Sequence, residues 1–223
     1  MFKTKNIIKE NTIDLNSKID FTLLDPRATV SDLEKLCDVA YKNRYYSVCV
    51  NPCNVAYVSG FIKKYYADSL KVCSVVGFPL GANKLETKMF ETKEAIFDGA
   101  DEIDVVINIG RAKQGDFSYI KNELSKIKKI AKKHVVKAII ETCYFDDNDI
   151  VKLCKVCMQA KVDFVKTSTG FGTMGATENV VSLIRKNIAG KCYIKAAGGI
   201  RTRAQALRLV DLGADRIGTS HVL

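Results

Sequence analysis

The chain has 223 residues, of which 47% are hydrophobic and 27% charged, with a net charge of +10 and a pI near 9.1. This composition excludes an intrinsically disordered chain, and the length suits one α/β barrel with a large core. The basic balance favours anionic partners, from sugar phosphates up to nucleic acid. The first residues, M-F-K-T-K-N-I-I-K-E-N, hold no apolar leader core, and no run approaches 18 apolar residues, so a cytoplasmic protein without membrane contact is expected. Much of the basic excess lies in S-K-I-K-K-I-A-K-K-H (Ser125 to His134), where Ile127, Ile130 and Ala131 recur at helical spacing and the lysines take the other side. No aromatic residues interleave with them, so this face reads as solvated rather than as a nucleic-acid platform. Eight cysteines are present, several in predicted strands and helices. The single C-x-x-C, Cys154 and Cys157, sits inside a predicted helix, so the thiols read as small hydrophobes, with no metal or cofactor expected.

The first 18 residues are polar apart from Ile7, Ile8, Ile13 and Leu15 and read as an arm or short helix. Apolar strands are then predicted at Ile19 to Leu24, Ser47 to Asn51, Lys71 to Phe78 and Glu102 to Asn108. Four more follow at Val135 to Glu141, Asp163 to Ser168, Tyr193 to Gly199 and Asp215 to Ser220. Amphipathic helical patterns long enough for crossovers lie between them. Ser31 and Glu34 form a candidate capping box for the first helix, and the glycines of D-G-A-D (Asp98 to Asp101) and L-G-A-D (Leu212 to Asp215) stand between helix and strand. No linker divides the chain. Eight βα units in one domain, residues 1–223, predict an α/β fold, a closed parallel TIM (β/α)8 barrel rather than an open sheet. G-F-G-T-M-G (Gly170 to Gly175) matches the dinucleotide fingerprint in letters but not in context. Only His221, Val222 and Leu223 follow the last strand, so the eighth helix is missing. The outside of strands eight and one, Ile217 included, should then need cover from residues 1–18 or a partner subunit.

Charges inside the strands carry the chemistry. Lys166 in V-K-T-S-T-G and Lys195 in I-K-A-A-G-G each precede a glycine-containing loop, at the strand ends where barrels place active sites. A buried ammonium is costly unless it is paired or sheds its proton, and the neutral amine is a nucleophile toward carbonyl carbon. Strand alternation puts Asp104, Val106 and Asn108 on one face, and Lys137, Ile139 and Glu141 on one face. Lys137 reads as part of a buried charge network, with Glu141 as its partner toward the surface. Asp20 and Cys49 also fall at strand positions, Cys49 as a pocket-lining residue. Two carboxylates and two lysines fit Schiff-base carbonyl chemistry. A basic barrel that binds sugar phosphates or nucleic acid without catalysis, or a transaldolase-like enzyme, remains open from the residues alone.

V-K-T-S-T-G-F, I-K-A-A-G-G-I-R-T, E-I-D-V-V-I-N-I-G, V-V-G-F-P-L-G and I-I-E-T, from about Ile19 to Ser220, resemble deoxyribose-phosphate aldolase, a class I aldolase on a TIM barrel. The resemblance implies reversible cleavage of 2-deoxy-D-ribose 5-phosphate to D-glyceraldehyde 3-phosphate and acetaldehyde, without metal or cofactor. It implies that Lys166 forms the imine, that Lys195 stays cationic beside it, that Asp104 shuttles protons and that Asp20 holds the relay. Thr169, Gly170, Gly198, Gly199, Arg201, Gly218 and Ser220 would bind the substrate and its phosphate, and a homodimer is expected. Phe21, Asp25, Phe171 and Met174 depart from the family pattern. Phe171 stands where some members carry a phosphate-reaching lysine, and the tail tyrosine of some members has no counterpart here.

Overall fold

The computed structural model describes residues 14–188 and 190–223. Eight strands, β1 (Ile19–Leu23), β2 (Ser47–Val50), β3 (Lys71–Val76), β4 (Glu102–Val106), β5 (Val135–Ile139), β6 (Phe164–Lys166), β7 (Tyr193–Ala197) and β8 (Arg216–Thr219), pair in parallel and in chain order. The β1–β8 pairing closes the barrel. Around it lie α1 (Val30–Lys42), α2 (Val55–Tyr66), α3 (Leu85–Phe97), α4 (Ile109–Lys113), α5 (Phe117–Ala131), α6 (Asp147–Gln159), α7 (Glu178–Ile188) and α8 (Arg203–Asp211). All eight expected strands form, but each ends one or two residues early. The apolar pattern runs on past the point where the backbone turns away. Gly77, Glu141 and Gly198 take left-handed φ values of 61°, 48° and 86° just beyond β3, β5 and β7.

The apolar core lies mainly between barrel and helices. On α5, Ile120, Leu124, Ile127 and Ala131 are fully buried at three- and four-residue spacing, while Lys121, Lys126 and Lys129 face water. Each such isoleucine or leucine contributes roughly 1.5–3 kcal/mol by leaving water. A smaller apolar cluster, Leu24, Cys49, Cys73 and Val75 with Phe78 against it, is separate from this core.

The cap of α1 differs from expectation. The helix begins at Val30, which places Ser31 inside the first turn. Thr29 is the N-cap, its hydroxyl accepting from Asp32 N–H while the Asp32 carboxylate accepts from Thr29 N–H at 2.8 Å. At three strand entries one device recurs. Asp101, Asp163 and Asp215, each just before an even-numbered strand, accept the N–H of Val72, Val136 and Ile194 on the preceding strand. Each carboxylate also pairs with a basic side chain, Lys71, Lys128 or Arg185.

No helix follows β8; Ser220–Leu223 are irregular. Ile217 is nonetheless fully buried, in one apolar cluster with Leu15, so no partner subunit is needed to cover it. Leu15 opens the short 3₁₀ turn Asn16–Lys18, which Arg203 ties to the barrel through Asn16 at 3.0 Å. The tail is held by Leu223 N–H donating to the Tyr45 hydroxyl at 3.1 Å. The rest of the expected arm, residues 1–13, lies outside the described residues. Among the described residues, no helix is long and apolar enough to cross a membrane. Leu15→Ala should destabilise the chain by about 2–5 kcal/mol, read from urea unfolding. An unchanged midpoint would show that the β8–β1 seam is covered by something else.

Candidate active site

At the carboxyl ends of the strands the barrel opens into a cavity of about 670 Å³. Lys166 reaches it from the end of β6. The loop after β6 brings Thr169 and Gly170, the loop after β7 brings Gly198, Gly199 and Arg201, and the end of β8 brings Gly218 and Ser220. All these residues were expected at the site, and one cavity gathers them. Asp20, Asp104 and Lys195 lie beneath it, fully buried. Cys49 does not line the cavity: its thiol is fully buried, in register with Cys73 on the neighbouring strand. Alternation turns it inward as expected, in register with Thr22 on β1, but its thiol packs with Leu24, Cys73, Val75 and Phe78 instead of opening to the cavity.

The buried layer is an ion network centred on Asp104. Its Oδ1 accepts from Lys137 Nζ at 2.8 Å, and its Oδ2 accepts from Lys166 Nζ at 2.8 Å and Lys195 Nζ at 2.7 Å. Strand register makes this convergence, since Asp104 pairs with Lys137 and Lys166 with Lys195. Lys195 Nζ also lies 2.6 Å from Asp20 Oδ2, a contact whose angle suits an ion pair rather than an aligned hydrogen bond. Asp20 Oδ1 accepts from Ser47 at 2.6 Å and from Arg216 Nε at 3.1 Å. Glu102 Oε2 sits 2.6 Å from Lys137 Nζ and accepts from Arg216 Nη2 at 2.7 Å. Gly218 makes room: a Cβ there would stand 3.0 Å from Lys195 Cε.

Burial would push the Asp104 carboxyl up, but the ammoniums of Lys137, Lys166 and Lys195 outweigh it and hold the group well below the usual carboxylate range. Asp20 is lowered in the same way, against burial, chiefly by Lys195 and Lys137. Burial works against the charge of Lys195 and Lys137 too, yet Asp104 with Asp20 raises the first, and Asp104 with Cys73 and Glu102 raises the second. Burial lifts the Cys73 thiol well above its ordinary range, whereas its hydrogen bond to Cys49 lowers the latter. Cys49, Cys73 and Asp104 bring potential metal ligands within 4.8 Å of one another. Both Asp104 oxygens are already engaged by ammoniums, and a metal cation there would face three lysines.

Glu141 is not the partner expected for Lys137. It is buried at the turn after β5, and no basic side chain lies within 4.0 Å of it among the described residues. Its carboxylate accepts from Thr169 N–H at 3.1 Å and from the Thr169 hydroxyl, which latches the loop that lines the cavity. The left-handed Glu141 backbone turns its side chain toward that loop and away from the barrel axis. Phe171 follows in the loop, 57% exposed at the cavity mouth and edge-to-face with Phe78 at 5.3 Å. Sequence reasoning missed Glu102 and Arg216. Glu102 was legible, because it shares a strand face with Asp104; Arg216, at a strand entrance, gave no local signal.

Acid stability follows from these shifts. The Asp20 and Asp104 carboxyls are depressed below their unfolded value of about 3.9, so their contribution is fully present above ~pH 4 and is lost as pH falls toward the folded values. Urea unfolding midpoints should therefore hold between ~pH 5 and 8 and drop steeply below ~pH 4. A midpoint insensitive to acid would show that the carboxylates are not held ionised.

The sequence profile of the DeoC/LacD family aldolases matches residues 15–219. The deoxyribose-phosphate aldolase of Thermococcus gammatolerans is 50% identical over 210 residues, 93% of each chain. That of Finegoldia magna is 47% identical over 208 residues, covering 93% of this chain and 96% of the relative. Among solved structures, one described as QR15, an aldolase, superposes with a TM-score of 0.89 at 39% identity, covering 93% of this chain and 92% of its own. A deoxyribose phosphate aldolase from Aeropyrum pernix, described as a unique tetramer, superposes with a TM-score of 0.86 at 37% identity, covering 93% and 87%.

Proposed function

The chain belongs to the DeoC/LacD family of aldolases, and from that premise we propose that it cleaves 2-deoxy-D-ribose 5-phosphate reversibly to D-glyceraldehyde 3-phosphate and acetaldehyde through an imine on Lys166. One observation carries the assignment of the nucleophile. Of the three lysines that meet Asp104, Lys166 alone also lines the cavity.

The uncharged Lys166 amine attacks the aldehyde carbon of the open-chain sugar, and loss of water gives an iminium ion. The carbon–carbon bond then breaks, its electron pair flowing toward the iminium nitrogen to leave an enamine. The hydroxyl of the departing fragment gives up its proton and becomes the aldehyde of glyceraldehyde 3-phosphate. Asp104 relays that proton through a water, and its return to the enamine carbon regenerates an iminium that water hydrolyses to acetaldehyde and free Lys166. Lys195, held cationic by Asp104 and Asp20, supplies a fixed positive charge beside this relay. Asp20 keeps Lys195 in place.

The phosphate sits against the backbone N–H groups of Gly170, Gly198, Gly199 and Gly218, with Ser220 and Arg201. Loops after the seventh and eighth strands suit this task. Gly198 allows it by close packing, since a Cβ there would stand 2.9 Å from the Gly175 Cα. Phe171 brings no charge where some family members carry lysine, and Arg201 and Arg27 are the arginines that line the cavity. Borohydride added with acetaldehyde should trap one adduct, mapped to Lys166, and Lys166→Ala should abolish turnover at every pH. An adduct on Lys137 or Lys195 would overturn the assignment.

We infer further that the chain works in the cytoplasm as a homodimer. Support for self-association comes from the Aeropyrum relative, described as a tetramer, and from exposed aromatics on α1 and α2. Tyr41, Tyr57 and Tyr65 are 49%, 40% and 57% exposed, and Tyr41 stacks on Tyr66 at 4.4 Å while Tyr65 lies 4.7 Å from Phe61. Tyr65→Lys should lower the mass measured by sedimentation toward that of one chain. A wild-type protein already monomeric at micromolar concentration would rule the dimer out.

A further inference from the structure

The ion network does not stop beneath the cavity. It runs down the barrel axis to Arg216, the first residue of β8, at the end of the barrel opposite the active site. There the guanidinium is forked between two carboxylates, Nε on Asp20 at 3.1 Å and Nη2 on Glu102 at 2.7 Å. Its side chain is only 7% exposed, with the Tyr46 ring stacked against it at 3.3 Å and Phe164 at 5.8 Å. Neither Arg216 nor Glu102 lines the cavity.

The charges of the network are unequal. Three carboxylates, Asp20, Glu102 and Asp104, meet four basic side chains, Lys137, Lys166, Lys195 and Arg216. Lys137 and Lys195 each contact two or more of the carboxylates, whereas Lys166 contacts Asp104 alone. Lys166 is also the one lysine of the three with any exposure, 4% of its side chain against none for the others. An excess charge in a dry interior is relieved by proton loss from the group that is least firmly paired and has a route to water. Lys166 is the least firmly paired of the four and the lysine that reaches the cavity. The remaining polar neighbours are two thiols, a hydroxyl and one carboxylate that points elsewhere. The thiol of Cys73 lies 3.2 Å from Asp104 Oδ1, Cys49 lies beside it, and the Ser47 hydroxyl lies on Asp20. Glu141 is turned to Thr169.

We propose that Arg216 and Glu102 are positioning residues for the aldol reaction, which set the excess positive charge of the buried network from the far end of the barrel and so fix how readily Lys166 is available as the neutral amine. This rests on Lys166 being the nucleophile. The chemistry needs that amine uncharged before imine formation, and both residues control it without approaching substrate. Each acts through the oppositely charged group it grips: Arg216 through Asp20 on Lys195, and Glu102 through Lys137 on Asp104.

Opposite substitutions should then move the reaction in opposite directions. Arg216→Gln leaves three lysines facing three carboxylates. The acid limb of its kcat/KM–pH profile should shift about one unit toward alkali, a roughly tenfold loss at neutral pH that is recovered at higher pH. Glu102→Gln removes a carboxylate instead and should shift the limb toward acid. The double variant Arg216→Gln/Glu102→Gln restores an excess of one cation and should return the limb close to wild type, while Arg216→Lys, which keeps the charge, should leave it in place. Borohydride trapping of the imine across the same pH range reads the same shifts independently of turnover. Single variants that both shift the limb the same way, or that lose activity equally at all pH values with circular dichroism unchanged, would reduce the two residues to structural supports and overturn the proposal. Should Arg216→Gln fail to fold, the Glu102→Gln arm decides alone, and a limb at or above the wild-type position refutes it. A wild-type enzyme that traps no adduct on Lys166 would instead overturn the assignment of the nucleophile.

Discussion

Three lysine side chains converge on one carboxylate, Asp104, in the buried middle of the barrel. Each of these charges would cost several kcal/mol to bury alone, and the assembly is tolerable only because every member has an opposite neighbour in place. Such a network contributes little net stability compared with an apolar filling, so its presence points to chemistry rather than to folding. It also imposes geometry. Lysine is a flexible side chain, and here its tip is fixed by charge: Lys195 is held between Asp104 and Asp20, and Lys137 between Asp104 and Glu102. The loops and the cavity above are arranged around the tip that remains reachable.

Much of this was legible in the sequence because strand chemistry is local. Eight apolar runs separated by helical patterns fix the barrel, and charges inside such runs stand out. Lys166, Lys195, Asp104 and Asp20 were all visible on that ground. Three readings needed the third dimension. Cys49 has the right alternation for the interior, but its thiol packs with Leu24, Cys73, Val75 and Phe78, an arrangement that no single strand encodes. Glu141 continues the alternation of Lys137 on paper, yet its backbone turns left-handed and sends the carboxylate to Thr169. Ser31 begins a sound capping pattern, but Thr29 and Asp32 offer the same chemistry two residues earlier, and the helix starts there. Arg216 was illegible for a different reason: its partners, Asp20 and Glu102, are 196 and 114 residues away.

The cavity wall shows how backbone and side chain divide the work. Loops after β6 and β7 bring the glycines of the wall, and Gly175 lies so close to Gly198 that a Cβ on it would stand 2.0 Å from the Gly198 carbonyl oxygen. Glu141 adds a carboxylate latch on the β6 loop, and Phe171 sets an aromatic edge at the mouth. Such a wall presents mostly fixed backbone dipoles, which need no reorganisation to meet a charge.

The strand entrances reveal a fourfold rhythm in the molecule. Val72 with Asp101, Val136 with Asp163 and Ile194 with Asp215 occupy matching stations in successive strand pairs, each joined by the aspartate clamp. The station in the first pair is Ile19 with Tyr46, where the Tyr46 N–H still donates to the Ile19 carbonyl at 3.0 Å but no carboxylate follows. Tyr46 lies under Arg216 instead. An aspartate in that quarter, as symmetry would ask, would set a further anion against the guanidinium and draw it away from Asp20. The break in the repeat is thus what keeps the barrel's lower mouth electrically closed: three quarters of the ring are tied by acids, and the fourth is plugged by a neutral ring so that the axial charges answer only to one another.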